Sequence, residues 1–408
     1  MFFAILLVLA SSGLAPQPVS AQFPMFFGAT RFSTIEVDGS DRLYLAMSVA
    51  TAPASEHRPH SQIFFTTSKD GGKNWDNLPQ TRNLTNSPGE AFGPSLAVSK
   101  EGPLRLYIAY HDNSTGTYEA YLLSTKKKTK FRRPQDLTPG GGGGFSPRLG
   151  LDSNGNVNLV YGDTTGGVRH VRFMRSTDQG ATFSEPLTIS GASDGAFEPE
   201  IAMTSGDAIN VAWEDTVSGT SAILFARSTD SGATFSNPQQ VSRGEGSATE
   251  AHIAADGAGR LSVVWAQAVG DDKHLFYSRS TDDGQTFSDP LQLTTAAGTS
   301  ISKPLALAYK NVVYVAYQNE APRHMQVYLR KSDDGGVTFA DAVQVSNADN
   351  NCGRAHSPSM TVDSLGTLHM VWIDASHVVG CNDEGLLFYS HSSNGRKFSA
   401  EQLILAGI

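Results

Sequence analysis

Cysteine is nearly absent from this chain: 408 residues hold two, Cys352 and Cys381. A framework of several disulfides is therefore excluded, and at most one bridge can form. A basic excess is absent as well. Lys and Arg number 31 against 40 Asp and Glu, for a net charge of −9, so nucleic acid is not expected as a main partner. The one basic run, Lys126 to Lys130 with Arg132 and Arg133, reads as a solvated turn. Long apolar runs are missing too. The Phe2–Ala10 stretch is too short to span a bilayer, and no later stretch could do so. No nucleophile elbow of the Gly-x-Ser-x-Gly type occurs, and the glycine run Gly140–Gly144 lacks the lysine and helix of a phosphate loop. The loop His57-Arg58-Pro59-His60 has no companion histidine pair, so neither a metal nor a cofactor is expected.

What the chain does have is one phrase, Ser-x-Asp-x-Gly-x-Thr-aromatic, used over and over. Four clean copies begin at Ser176, Ser228, Ser280 and Ser332, evenly spaced at 52 residues. An earlier copy begins at Ser68, and eroded ones begin at Ser124 and Ser392. A fixed period of this size marks a repeat architecture. Within one repeat, the runs Glu200–Thr204, Ile209–Trp213, Ala222–Ser228 and Phe235–Val241 read as four short strands bounded by turn residues. Sustained helical periodicity is nowhere visible. The expectation is an all-β, seven-bladed β-propeller of four-stranded antiparallel blades, with the phrase turning the chain between strands three and four. Arg31–Thr67 supplies three strands of the first blade, and Glu401–Leu405 supplies the last strand of the seventh. Residues 1–21 read as a secretory signal ending in Val19-Ser20-Ala21, with 22–408 forming a single propeller domain. The mature protein is expected to be exported, with no membrane span.

The phrase turns lie on one face, the bottom. Connections that enter strand one or leave strand two lie on the other, the top. Cys352 and Cys381 fall in two top segments of the last repeat and are expected to pair. Nine of the eleven histidines also fall there, which makes the top the candidate functional surface. Arg148, Glu200 and His252 share one register 52 residues apart at the top of the innermost strands, with Pro304 in the next equivalent place. Glu198 and Glu250 form a second register just above. Arg243, Arg323, His324, Arg354 and His356 complete the candidate ligand-binding set. The recurrent pairs Tyr110 with Asp112, Tyr161 with Asp163, Trp213 with Asp215, and Trp372 with Asp374 read as packing plus a turn cap.

The phrase resembles the Asp-box, or BNR repeat, of the sialidase-like propellers, and the resemblance spans essentially the whole mature chain. It implies structural box positions at Asp70, Asp178, Asp230, Asp282 and Asp334. It also implies a search for an arginine triad, an aspartate acid, and a tyrosine nucleophile paired with a glutamate. Arg31-Phe32-Ser33 stands where the family opens with Arg-Ile-Pro, and Met47–Phe64 contains no Asp. The candidate catalytic residues are accordingly Arg31, His60, Arg148, Glu200, His252 and Tyr317. The resulting expectation is a secreted propeller that recognises a glycan or other extracellular ligand on its top face, without the sialidase reaction. The alternatives are an enzyme acting on glycosidic bonds, as hydrolase or lyase, and a protein-interaction scaffold.

Amino-terminal sequencing of the exported protein should return Gln22 as its first residue. Retention of residues 1–21 on the mature chain would contradict the leader.

Overall fold

The computed structural model describes residues 33–51, 60–76, 82–100, 102–140, 143–191, 193, 195–320, 324–348, 353–375 and 385–405. The leader, Arg31, Arg323, Cys352 and Cys381 lie outside these residues, as does the side chain of His60. Seven antiparallel sheets follow one another along the chain, each ordered from its first strand to its fourth. Together they form a seven-bladed propeller. The first strands are Ser33–Val37, Ala91–Val98, Phe145–Leu151, Phe197–Met203, Ala248–Ala255, Ile301–Tyr309 and Ala355–Val362. Each touches the first strand of the next blade, and the seventh touches the first, so they ring the central channel. One 3-10 turn, Thr165–Gly167, is the only helical element that lies wholly within the described residues. No helix there is long and apolar enough to cross a membrane.

The fourth strands are shorter than the hydrophobic pattern suggests. The run Phe235–Val241 contributes only Gln239–Gln240 to its sheet. Phe235 leaves the ladder to pack edge-on against Phe173 of the preceding blade, with ring centroids 5.1 Å apart. Phe287 on Phe225 and Phe339 on Tyr277 repeat the contact, both at 4.9 Å. In blade 2 two short segments, Lys130–Phe131 and Gln135–Asp136, pair with the third strand Glu119–Lys127. That sheet is five-stranded as a result.

The repeated phrase folds as one hydrogen-bonded unit. In blade 4, Ser228 Oγ donates to Asp230 Oδ1 (2.7 Å) and accepts from the Gly232 amide (2.9 Å). The Thr234 amide and hydroxyl both donate to the Asp230 carboxylate. Side-chain donation from the threonine, with the backbone bond, holds Asp178 and Asp230 down to about 2. Gly232 has φ +84°, and a Cβ there would lie 2.2 Å from the Phe173 ring. Both handedness and space therefore demand glycine. Where the phrase keeps its glycine, the turn is thus also a clamp that seats the blade against a side chain of its predecessor.

The same clamp closes the ring. Trp75 of blade 1 packs edge-on against Tyr389 of blade 7 at 5.5 Å, and the Tyr389 hydroxyl donates to Gly71 O. The Ile35 amide donates to Ser359 Oγ, and Ser364 donates to the Asp41 carboxylate. Among the described residues no strand is exchanged between the first and last blades.

Gly232→Ala should cost about 2–4 kcal/mol of unfolding free energy, combining left-handed strain with overpacking. Gly206→Ala, at a position where a Cβ meets nothing within 4 Å, should stay within about 0.5 kcal/mol. Denaturant titration of both variants checks the contrast; equal costs would contradict the clamp.

Candidate functional site

Among the described residues, six of the seven first strands carry a register shift near their top. At each shift one residue is left-handed: Gly93, Ser146, Glu198, Glu250, Lys303 and Ser357. Non-glycine side chains adopt this conformation at a cost of about 1 kcal/mol or more each. A bulge re-aims the residues beside it and is common next to functional sites. The six positions form a ring around the channel mouth, and three consecutive blades place charged side chains on it.

Two residues further along each strand lies the level of Arg148, Glu200 and His252. The ladder places Leu305, not Pro304, at the next equivalent position, because the bulge of blade 6 sits one residue later. The three polar residues meet across three blades. Arg148 Nε donates to Glu200 Oε1 (3.0 Å), and Arg148 Nη1 donates to Pro147 O (3.1 Å). Glu200 Oε2 lies 3.8 Å from His252 Nε2. His252 Nδ1 accepts the Ala306 amide (3.2 Å), which assigns the ring proton to Nε2, on the side of Glu200. Ser95 and Ser359 make the same amide bond to the next blade. His252 thus staples two blades while presenting its other nitrogen to a carboxylate.

Above this row, the Glu250 amide donates to Glu214 Oε2 (3.4 Å), and Glu250 Oε2 accepts the Lys303 amide. Lys273 Nζ is 3.9 Å from Glu250 Oε1. Burial pushes Glu198 up to about 7; Lys303 pulls it back, while Glu250 and Glu214 push it further. Burial also raises Glu214, a residue that sequence reasoning passed over. The mouth therefore holds the Arg148–Glu200 ion pair beside Glu198, whose carboxyl burial pushes up to about 7.

Blades 2 and 3 contribute an aromatic wall that was also missed. His111 contacts Tyr118 edge-on at 5.3 Å, and Phe145 and Phe92 lie 6.3 and 6.0 Å away. Burial, assisted by Arg148, pushes His111 down to about 3, so it is neutral at physiological pH. At Gly93 (φ +59°) a Cβ would come within 3.2 Å of the His111 ring. Arg169 stacks over Phe197, 5.1 Å from its centroid, beside Glu198.

Other sequence candidates lie elsewhere. Tyr317 is buried, 3% exposed, and stacks on Tyr328 in the core between blades 5 and 6. Side chains alternate along the second strand, and that of Tyr317 packs into the core between blades while its neighbour Gln318 bonds the Ser357 amide. Arg243 is exposed and paired with Asp289 at 2.7 Å. His324 is half-buried against the backbone of Gly353, and Arg354 is exposed. His356 immediately precedes the bulge of blade 7 and lies 3.1 Å from Ser357 Oγ. His274 is a buried prop held by Thr299. Asp112, Asp163 and Asp215 accept backbone amides at the ends of second strands, as turn caps do. Among the described residues no three His, Cys, Asp or Glu side chains converge to hold a metal.

The Glu198 carboxyl should titrate near 7 by carbon-detected NMR, and Glu250→Gln should move its midpoint downward. A midpoint in the ordinary glutamate range would contradict the crowded, desolvated mouth.

No known protein-family profile matches the chain, and no curated protein matches its sequence. Solved structures do resemble its fold. A polysaccharide lyase of family PL25, an ulvan lyase bound to -[GlcA(1-4)Rha3S]-, superposes with a TM-score of 0.61. It is 12% identical, over 85% of this chain and 89% of that one. The α-L-arabinanase of Penicillium chrysogenum complexed with arabinobiose gives 0.51 at 14% identity, over 74% and 93%. A protein of unknown function from Dyadobacter fermentans gives 0.53 at 17% identity, over 71% and 90%. These likenesses establish the propeller fold.

Proposed function

We propose that the protein is a secreted propeller that binds a glycan at the mouth of its channel. The observation that carries this reading is the Arg148–Glu200–His252 row, which joins three blades at 3.0 and 3.8 Å. It offers fixed donors and acceptors beside the half-buried rings of Phe92 and Phe145. Sugars present hydroxyls at their edges and apolar C–H faces, so a polar row beside an aromatic wall suits them. The fold shared with carbohydrate-active propellers is consistent with this reading. The sialidase reaction is not part of it, because Tyr317 lies in the core.

A second reading, an enzyme cleaving glycosidic bonds, is favoured by one observation. Glu198 is pushed up to about 7 at the mouth, the range in which a general acid works best. Glu198 would then give or take the proton, and the Arg148–Glu200 pair would orient the ligand.

A panel of neutral and acidic oligosaccharides should yield at least one that binds the full chain. Glu200→Gln should weaken that binding about tenfold or more. The paired change Arg148→Met with Glu200→Leu removes both charges together and avoids leaving one buried alone. Unchanged affinity in both variants would contradict the mouth as the site. Release of reducing ends or unsaturated sugar, abolished by Glu198→Gln with binding retained, would select the enzyme reading; binding with no turnover leaves the first.

A further inference from the structure

Blade 2 breaks the phrase turn. Ser124–Phe131 has the same length as Ser176–Phe183, so the two segments align residue for residue. Lys126 stands where the box has Asp178, Lys128 where it has Gly180, and Lys130 where it has Thr182. In blade 3 the Thr182 amide and hydroxyl donate to the Asp178 carboxylate; blade 2 has lost both sides of that exchange. Its chain makes a tight hairpin instead, with Lys127 paired to Lys130 and Lys128 held at φ +52°. A lysine is strained in this left-handed conformation, where glycine is not. Of the clamp, only the aromatic contact survives: Phe131 packs edge-on against Phe65 of blade 1 at 5.1 Å.

What the turn has acquired is charge. Lys126, Lys127, Lys128, Lys130, Arg132 and Arg133 are all exposed. Among the described residues, none of the six forms an ion pair. Phe131 turns inward onto Phe65, so the alternation of the strand sends Lys130 and Arg132 outward, about 6–7 Å apart. Two more cations lie alongside. Arg82 of blade 1 donates to Thr129 O at 3.1 Å, and Arg105, just ahead of the second strand, shares the neighbourhood of Tyr107 with Arg132.

This concentration is anomalous on a chain of net charge −9. The six cations repel one another, and the fold receives no ion pair in return. Where a sequence gives up a structural rule without a compensating contact, a function is the expected reason.

We propose that this hairpin docks the protein onto a linear acidic polysaccharide, one that carries sulfate or uronate groups. Cations fixed along a hydrogen-bonded ribbon can meet successive anionic groups of one extended chain. The hairpin exposes no large apolar side chain. A membrane surface calls for an apolar anchor beside the charge, and single-stranded nucleic acid for a stacking ring. A hydrophilic polyanion held by charge needs neither. The hairpin belongs to the bottom face, so this surface is separate from the channel mouth and stands or falls independently of what the mouth binds.

The test is retention of the full chain on immobilised heparin and on immobilised polygalacturonate, near neutral pH and at about 50 mM NaCl. At least one matrix should hold the protein, with affinity falling about tenfold or more as NaCl rises to about 200 mM. Lys126→Gln, Lys127→Gln and Lys130→Gln combined should abolish retention and leave Tm unchanged. Restoring the box with Lys126→Asp, Lys128→Gly and Lys130→Thr should abolish retention too, while raising Tm by about 2 °C. If the restored box fails to fold, the glutamine variant decides alone, because it alters only exposed side chains. A protein that flows through both matrices at low salt would overturn the proposal, as would retention that survives the glutamine variant. Tighter binding to phosphatidylserine vesicles or to duplex DNA than to either polysaccharide would overturn it equally.

Discussion

The glycine beneath the aromatic ring is the constraint on which the rest of this molecule depends. In blades 1, 4, 5 and 6 the phrase turn places a left-handed glycine against an aromatic ring of the preceding blade, then sends its own aromatic onto the same ring. Local hydrogen bonds from Ser and Thr hold the Asp that shapes the turn. Blade-to-blade packing is therefore specified by a short segment of sequence, repeated with little variation. Tyr389 and Trp75 make the last of these contacts between distant parts of the chain. Among the described residues the seam between blades 7 and 1 is built like the others.

A ring clamped from its bottom face leaves its top face free to vary. The bulges near the tops of the first strands exploit that freedom. They keep the blades in register below while turning one residue per blade into the left-handed region. Where that residue is Gly or Ser the mouth is merely lined. Where it is Glu198, Glu250 or Lys303, charge is concentrated on blades 4 to 6. The aromatic wall on blades 2 and 3 faces a different chemical problem, with neutral His111 at its centre. Ionisable groups thus dominate one side of the mouth, and tilted aromatic rings dominate the other.

Much of this was legible from residue spacing. The phrase gave the blade count and the position of the clamp, because its Asp, Gly and aromatic perform the same task in the four evenly spaced copies. Its 52-residue period also aligned Arg148, Glu200 and His252 correctly, since the bulges of blades 3 to 5 are equally spaced. The ruler slipped at Pro304, where one extra residue precedes the bulge and Leu305 takes the equivalent place. Other features follow from strand orientation, which spacing does not encode. Tyr317 has the right chemistry for a nucleophile but sits on a second strand, facing a neighbouring blade. Glu214 lies on a second strand and Tyr118 in the connection before a third, and only the folded ladder shows that they approach the rim beside His111, one of the histidines expected on the top face. The basic run from Lys126 to Arg133 is plain in the sequence as charge. That all six cations stay exposed without ion pairs appears only in the folded hairpin.

The central claim is that the channel mouth, rather than the bottom face or the blade edges, holds the ligand. A crystal structure with a bound oligosaccharide tests it most directly. The account predicts sugar density over blades 2 to 6, with hydroxyls within hydrogen-bond reach of Glu198, Glu200 or His252 and a ring face against Phe92 or Phe145. Density confined to the phrase turns or the outer strands, with the mouth left to solvent, would contradict it.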